Sequence, residues 1–357
     1  MIFLHTYPFN MKKFLFAAII SIFPISFLLA CTTFFINKNN QMVFGRNYDW
    51  VTDAGIICTN LKGLSKTSMQ TENGETISWV SKYGSITFNQ YGKEFPTGGM
   101  NEKGLVVELM WLDETKYPSA DKRPAIGVLQ WIQYQLDNST TIDEVISTDK
   151  KLRISATGTT PLHYLIADAN GNAATIEFLN GKMVVHKGND LTLPVLTNNI
   201  YDESVKAYKN SSVNGNNSLE RFSEACTMIQ KLKSGNNTKP LIDYSFDILG
   251  EVAQGDFTKW SIVYDITNKT IHFKTNRFVQ IKTVSFSAFD FNCTAIAKVW
   301  DMNQAGKGNI NTLFENFNST INKRIVETAA RESESRVPIS QKNIERLWQY
   351  SSVIKCL

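Results

Sequence analysis

Short runs rich in β-branched and aromatic residues recur along the chain, separated by Asn-, Gly- and Lys-bearing turns. They predict strands at Thr32–Ile36, Gln41–Gly45, Gly84–Asn89, Gly104–Leu109, Leu162–Asp168, Ala173–Phe178, Lys182–His186, Trp260–Asp265 and Thr270–Thr275. Turns as short as Ala169-Asn170-Gly171 and Thr267-Asn268-Lys269 join neighbours, as in antiparallel meanders. Helical stretches interleave. One opens at Pro124 and runs to about Leu136, and Thr141 with Glu144 makes a capping box for a second. A third is capped by Ser218 and runs to about Leu232, while Asn311–Arg331 and Pro338–Tyr350 are helical near the C-terminus. Antiparallel strands with helices in blocks predict a layered α+β fold. The polar stretches Asn210–Asn217 and Gly235–Thr238 read as loops, not linkers, so residues 31–357 are expected to form a single domain with a helical C-terminal extension.

The longest apolar run stands apart from this pattern. Phe14 to Leu29 follows Met11-Lys12-Lys13 and ends in the small residue Ala30, before Cys31. Basic flank, short apolar stretch and small residue make a secretory signal peptide spanning residues 1–30, with Met11 a more natural start than Met1. Cleavage after Ala30 leaves Cys31 first, with a thiol and a free α-amine on one residue, a nucleophile with a base attached. The same Leu28-Leu29-Ala30-Cys31 ending also reads as a lipoprotein signal, in which Cys31 is acylated and anchors the chain to a membrane. Either reading predicts an exported protein: periplasmic or secreted if Cys31 is unmodified, membrane-bound if it is acylated.

Composition narrows the classes. Lys and Arg total 37 against 33 Asp and Glu, dispersed and without an arginine-rich stripe, so nucleic acid is not expected as a partner. Five cysteines in an oxidising compartment leave at least one thiol over. Cys58, Cys226, Cys293 and Cys356 could pair in three ways or stay as separate buried thiols. His163, His186 and His272 are too scattered for a metal site, and His163, in an apolar strand, reads as a core histidine.

The first hairpin brings chemistry together. If Asn37-Lys38-Asn39-Asn40 forms the turn and Ile36 faces Gln41, Cys31 lies opposite Arg46, with Thr33 opposite Phe44 and Phe35 opposite Met42. Asp49 extends past the end of the first strand and can fold over the amine.

On Cys31-Thr32-Thr33, Gly45-Arg46-Asn47-Tyr48-Asp49-Trp50, Asn101-Glu102-Lys103-Gly104-Leu105, Leu196-Thr197-Asn198-Asn199, Arg221-Phe222 and Trp260-Ser261-Ile262-Val263-Tyr264-Asp265, the chain resembles the choloylglycine hydrolase family. This family of N-terminal nucleophile hydrolases includes bile salt hydrolases and penicillin V acylases. The ordered set runs to about Thr275, and Ile200 stands where the family usually has proline. The stretch from Thr283 onward carries no such signal. The resemblance implies a four-layer αββα sandwich of two antiparallel sheets. It implies catalytic roles for Cys31, Arg46, Asp49, Asn198 and Arg221, with the backbone N–H of Trp111 as a second oxyanion donor. Trp50, Trp111 and Tyr48 become acyl-pocket residues, closest to the Gram-negative penicillin V acylase-like members. Arg46 is expected to lower the pKa of the amine and favour thiolate on Cys31.

The expected activity is hydrolysis of a linear non-peptide C–N amide in a small molecule, of the penicillin V, conjugated bile acid or acyl-homoserine lactone type. The resemblance implies no metal or organic cofactor, no stable membrane association if Cys31 is unmodified, and a homotetramer. The alternative is a non-catalytic lipoprotein anchored through Cys31.

Overall fold

The computed structural model describes residues 31–71, 74–213, 217–235 and 238–357. The expected signal peptide, residues 1–30, lies outside them. Two large sheets face each other. In the first, strand β1 (Thr32–Lys38) lies between Val195–Leu196 and β2 (Gln41–Asp49). The sheet continues through Thr258–Asp265, Thr270–Thr275, Lys282–Ser285 and Gly308–Asn309. The second runs Lys182–Lys187, Ala173–Leu179, Leu162–Ala167, Val106–Trp111, Pro96–Asn101, Ser85–Asn89, Ile56–Asn60, Lys298–Asp301 and Glu315–Asn316. Within these two sheets pairing is antiparallel except between Lys282–Ser285 and Gly308–Asn309.

The helices are α1 (Val128–Asn138), α2 (Ile142–Ser147), α3 (Tyr201–Lys209), α4 (Asn217–Ser234), α5 (Leu241–Glu251), α6 (Ser319–Glu332) and α7 (Gln341–Gln349). α4 and α5 pack on β1, β2 and Thr258–Asp265, and α1 packs on Pro96–Asn101 and Val106–Trp111. The order is therefore helix, sheet, sheet, helix, as the resemblance implied. The largest hydrophobic cluster fills the space between the sheets and under α4 and α5, and a second lies between the second sheet and α1–α2. Because both faces of the central strands are covered, β1 is buried at each position from Thr32 to Ile36 and its alternation is masked.

The hairpin register differs from expectation. Thr32 pairs with Asn47, Thr33 with Arg46 and Phe35 with Phe44, so Cys31 does not lie opposite Arg46. The turn uses two residues, not four: Asn39 and Asn40 both hold positive φ, 52° and 61°, as a type I′ hairpin turn demands. The slip is two positions, so the parity of faces survives. Thr33 and Arg46 still point between the sheets, where the Thr33 hydroxyl reaches Met110 Sδ at 3.3 Å and Arg46 Nη1 donates to the Thr97 carbonyl at 2.9 Å. Gly45 faces the helices, and a Cβ there would run into the Phe34 ring.

Other boundaries move for local reasons. α1 starts at Val128, because Ala125–Ile126 pairs in parallel with Arg153–Ile154 instead of opening the helix. The Thr141–Glu144 capping box is present. Ser218 lies inside the first turn of α4 and does not cap it. α6 starts at Ser319, capped by Asn318, since 311–316 form a 3₁₀ turn and a short strand. α7 starts at Gln341, capped by Ser340. Cys293 and Cys356 form a disulfide, whereas Cys31, Cys58 and Cys226 are buried free thiols, a mixed outcome that neither full pairing nor four separate thiols describes. Among the described residues no helix is long and apolar enough to cross a membrane.

Candidate active site

Cys31 immediately precedes β1 and is 4% exposed. Its Sγ lies 3.9 Å from the backbone carbonyl of Asp49, the last residue of β2. Burial pushes the thiol pKa up; Arg46 is the strongest opposing influence and Arg221 adds to it. Arg46 thus favours thiolate on Cys31 in the direction expected, but burial outweighs it and the neighbouring Arg221 together.

Asp49 is fully buried. Its Oδ1 accepts from the Thr258 hydroxyl at 2.5 Å, while Oδ2 has no hydrogen-bond partner. Burial raises its pKa to about 7, opposed first by Arg221 and then by the Thr258 hydrogen bond. A buried carboxylate oxygen with nothing donating to it, next to the head of β1, is a vacancy suited to an N–H donor.

Arg221 reaches back from α4 to the same point. Its Nη1 donates to the Cys31 carbonyl at 2.5 Å and to the Thr32 hydroxyl at 2.6 Å, its Nη2 to Asn198 Oδ1 at 3.0 Å, and its Nε to Asn217 Oδ1 at 2.9 Å. These acceptors compensate a cation close to a helix N-terminus, where the dipole disfavours it. Asn198 follows the short strand Val195–Leu196 paired to β1. Its backbone N–H donates to the Ser218 hydroxyl at 2.9 Å, and its Nδ2 donates to the Trp111 carbonyl at 2.8 Å. An amide nitrogen carries two hydrogens, so a second one remains to donate.

The N–H of Leu112 donates to the Pro161 carbonyl at 3.1 Å. Backbone groups alternate along a strand, so the N–H and carbonyl of Trp111 point off the opposite edge, toward Asn198. The Trp111 indole donates to Asp113 at 2.6 Å. Trp50 and Trp111 have ring centroids 6.1 Å apart, Tyr48 stacks on Trp260 at 4.6 Å, and the Tyr48 hydroxyl donates to Gln90 at 2.7 Å. Cys31, Tyr48, Asp49, Trp50 and Trp111 line one apolar cavity of ≈ 130 Å³.

Arg46 does not stand free beside the thiol. Glu108, fully buried on Val106–Trp111, pairs with it and accepts from the Tyr264 hydroxyl, and the guanidinium carbon sits 4.7 Å over the Tyr48 ring. Gly98 makes room for this, because a Cβ there would overlap the Glu108 carboxylate. Sequence reasoning missed Glu108, although a lone carboxylate in Val-Val-Glu-Leu-Met-Trp was a signal for a buried charge with a partner. His163 is a buried core histidine as expected, with both ring nitrogens partnered: its Nε2 lies 2.7 Å from the carbonyl of Thr197, the residue before Asn198, and its Nδ1 is 3.2 Å from Glu177. A carbonyl only accepts, so Nε2 carries the proton. Among the described residues no group of three or more His, Cys, Asp or Glu is placed to hold a metal.

Compared with known proteins, residues 31–242 match the sequence profile of the linear amide C–N hydrolases, choloylglycine hydrolase family. Over 179 residues, 44% of this chain, the sequence is 33% identical to the penicillin V acylase of Pectobacterium atrosepticum; the match spans 46% of that relative's length. Among solved structures, the penicillin V acylase from Agrobacterium tumefaciens superimposes with a TM-score of 0.70 at 26% identity, covering 81% of this chain and 98% of that one. A mutant of the conjugated bile acid hydrolase from Clostridium perfringens superimposes with a TM-score of 0.64 at 18% identity, covering 78% and 98%, a likeness of fold.

Proposed function

The chain belongs to the choloylglycine hydrolase family of linear amide C–N hydrolases, and from that premise we propose an exported cysteine amidohydrolase that removes a small acyl group from an amine. The observation that carries this reading is the pocket: it is lined by the buried thiol of Cys31, by Asp49 with one unpaired carboxylate oxygen, and by Trp111, whose carbonyl accepts from Asn198.

A thiol whose pKa is raised needs a base in contact with it. Removal of residues 1–30 would supply one, the α-amine of Cys31, ordinarily titrating near 7.7–8.0. Asp49 Oδ2 is free to accept an N–H from that amine and hold its lone pair toward Sγ. The amine takes the thiol proton, the sulfur attacks the amide carbonyl, and the proton passes to the leaving nitrogen. Water then hydrolyses the thioester by the reverse sequence. Arg46 and Arg221 offset the cost of the transient thiolate. The second Nδ2 hydrogen of Asn198 and the Trp111 N–H stabilise the oxyanion.

The cavity is comparable to the roughly 150 Å³ that holds one benzene ring in an apolar protein interior. This favours an aryloxyacetyl or short acyl group, such as the phenoxyacetyl of penicillin V, over the fused rings of a conjugated bile acid. The Cys293–Cys356 disulfide supports an oxidising compartment. The burial of Cys31 supports the catalytic reading over a lipid anchor. The test is a panel of penicillin V, glycine- and taurine-conjugated bile acids and acyl-homoserine lactones. Penicillin V should be preferred and Cys31→Ala should be inert while folded. Equal turnover by Cys31→Ala would overturn the nucleophile.

A further inference from the structure

The C-terminal segment, which carried helix signals but no family resemblance in the sequence, reaches the pocket. After α6 the chain passes Ser333, whose hydroxyl accepts from Tyr91 at 3.0 Å; the Tyr91 hydroxyl in turn accepts from the Trp50 indole at 3.2 Å. The chain then supplies Val337, Ile339 and Leu347 to the same cavity that holds Cys31, Trp50 and Trp111. Ile339 and Leu347 pack with Leu129 on Ala54, Tyr91 and Ala329.

The segment is fastened at several points. Asn322 accepts from the Lys93 N–H at 2.9 Å and donates to the Trp348 carbonyl at 2.9 Å. The Tyr350 hydroxyl donates to the Thr67 carbonyl at 2.9 Å. The last strand, Lys355–Cys356, pairs with Leu64 and Ser65, and Cys356 is bonded to Cys293. By contrast, the hydrogen bonds of Cys31, Asp49, Asn198 and Arg221 given above run to Thr32, Trp111, Asn217, Ser218, Thr258 and each other. The pocket wall and the reacting groups are held by separate sets of contacts.

We propose that residues 333–357 form the specificity wall of the acyl pocket: Val337, Ile339 and Leu347 set the length and width of the acyl group accepted, and the Cys293–Cys356 disulfide holds that wall in place. This rests on the amidohydrolase reading, because it names the part of the substrate the wall selects. A wall that is an irregular linker plus one helix, half-buried and clipped at its end, can change acyl preference without displacing the thiol.

The experiment compares Ile339→Ala, Leu347→Ala and Cys356→Ser with the unsubstituted protein, on amides of one amine bearing phenoxyacetyl, hexanoyl or decanoyl groups. Opening the wall should shift the decanoyl-to-phenoxyacetyl ratio of kcat/KM upward by about tenfold. Cys356→Ser should move it in the same direction. Ratios that stay put in folded alanine variants overturn the wall, and an unmoved ratio in Cys356→Ser overturns the tether. Ile339→Val and Leu347→Val serve if an alanine variant fails to fold. If the unsubstituted protein cleaves none of these amides, the amidohydrolase reading fails. Binding of free phenoxyacetate, hexanoate and decanoate, followed by tryptophan fluorescence, still tests the wall: shifted Kd ratios support it and constant ratios refute it.

Discussion

Asn198 offers the sharpest separation of rate from structure. Its Nδ2 donates to Trp111 and its Oδ1 accepts from Arg221. Asn198→Ala removes both. On the proposed mechanism the missing oxyanion donor costs about 10²- to 10³-fold in kcat, roughly 2.7–4 kcal/mol. KM should change little, because the donor binds charge that develops only in the transition state. Folding loses one neutral and one charge-assisted hydrogen bond, together about 2–4 kcal/mol. Arg221 is not left bare, since it keeps the Cys31 carbonyl, Thr32 and Asn217. Asn198→Asp then splits the two effects. A carboxylate still accepts from Arg221, so most of the stability stays, but it cannot donate and it sets a negative charge where the oxyanion forms. The rate should fall at least as far as in Asn198→Ala. The assay is steady-state release of primary amine from penicillin V, beside a thermal melt of each variant. Asn198→Asp with kcat within about threefold of the parent, or a loss confined to KM, would refute the oxyanion assignment.

Glu108→Gln leaves the buried Arg46 without its counter-ion and should destabilise by about 3–5 kcal/mol in urea titration; a loss under about 1 kcal/mol would mean that the pair is not the partnership described. His163→Leu strips the donor from the Thr197 carbonyl and lets Asn198 drift, so kcat should drop about ten- to a hundredfold while His163→Gln retains more of it; equal kcat in the two variants counts against positioning. Asp49 has its pKa raised to about 7 in the chain that extends ahead of Cys31. Its folded form then binds the proton more tightly than the unfolded chain does, so this group costs stability as pH climbs from about 4 to 7. With residues 1–30 attached, Asp49→Asn should melt higher than the parent at pH 8 and level with it at pH 4. In a chain beginning at Cys31 an N–H of the α-amine donates to Oδ2 and offsets that penalty, so the gap at pH 8 should shrink; an unchanged gap would place the amine away from Asp49.

Much of the fold was legible because strand signals and turn residues coincide. Thr270–Thr275 has the expected bounds, and the Thr141–Glu144 box forms as expected. The hairpin register went astray because Asn39-Asn40, taken as half of a longer turn, is itself a complete turn with both residues at positive φ. α3 and α5 were not anticipated. α3 carried a cue, with Asp202 and Glu203 in its first turn and Lys206 and Lys209 in its last, but its apolar face is thin. At the site, local spacing carried Cys31, Arg46 and Asp49, which share one hairpin. Placing Asn198 and Arg221 beside them took the family resemblance, because their meeting is tertiary. The partners Thr258 and Tyr91 lay beyond sequence reasoning for the same reason, and Glu108 was readable as a buried charge but not as the partner of Arg46. So did the wall residues Val337, Ile339 and Leu347, and a disulfide whose cysteines are separated by 63 positions.

In the proposed mechanism the reacting sulfur and its base belong to one terminal residue. Intact-mass spectrometry of the active protein after brief exposure to penicillin V tests this directly. The expected result is a chain starting at Cys31 without lipid, carrying one acyl group on that residue that disappears as substrate is exhausted. An equally active protein with residues still attached ahead of Cys31, or one whose Cys31 bears a lipid, would contradict it.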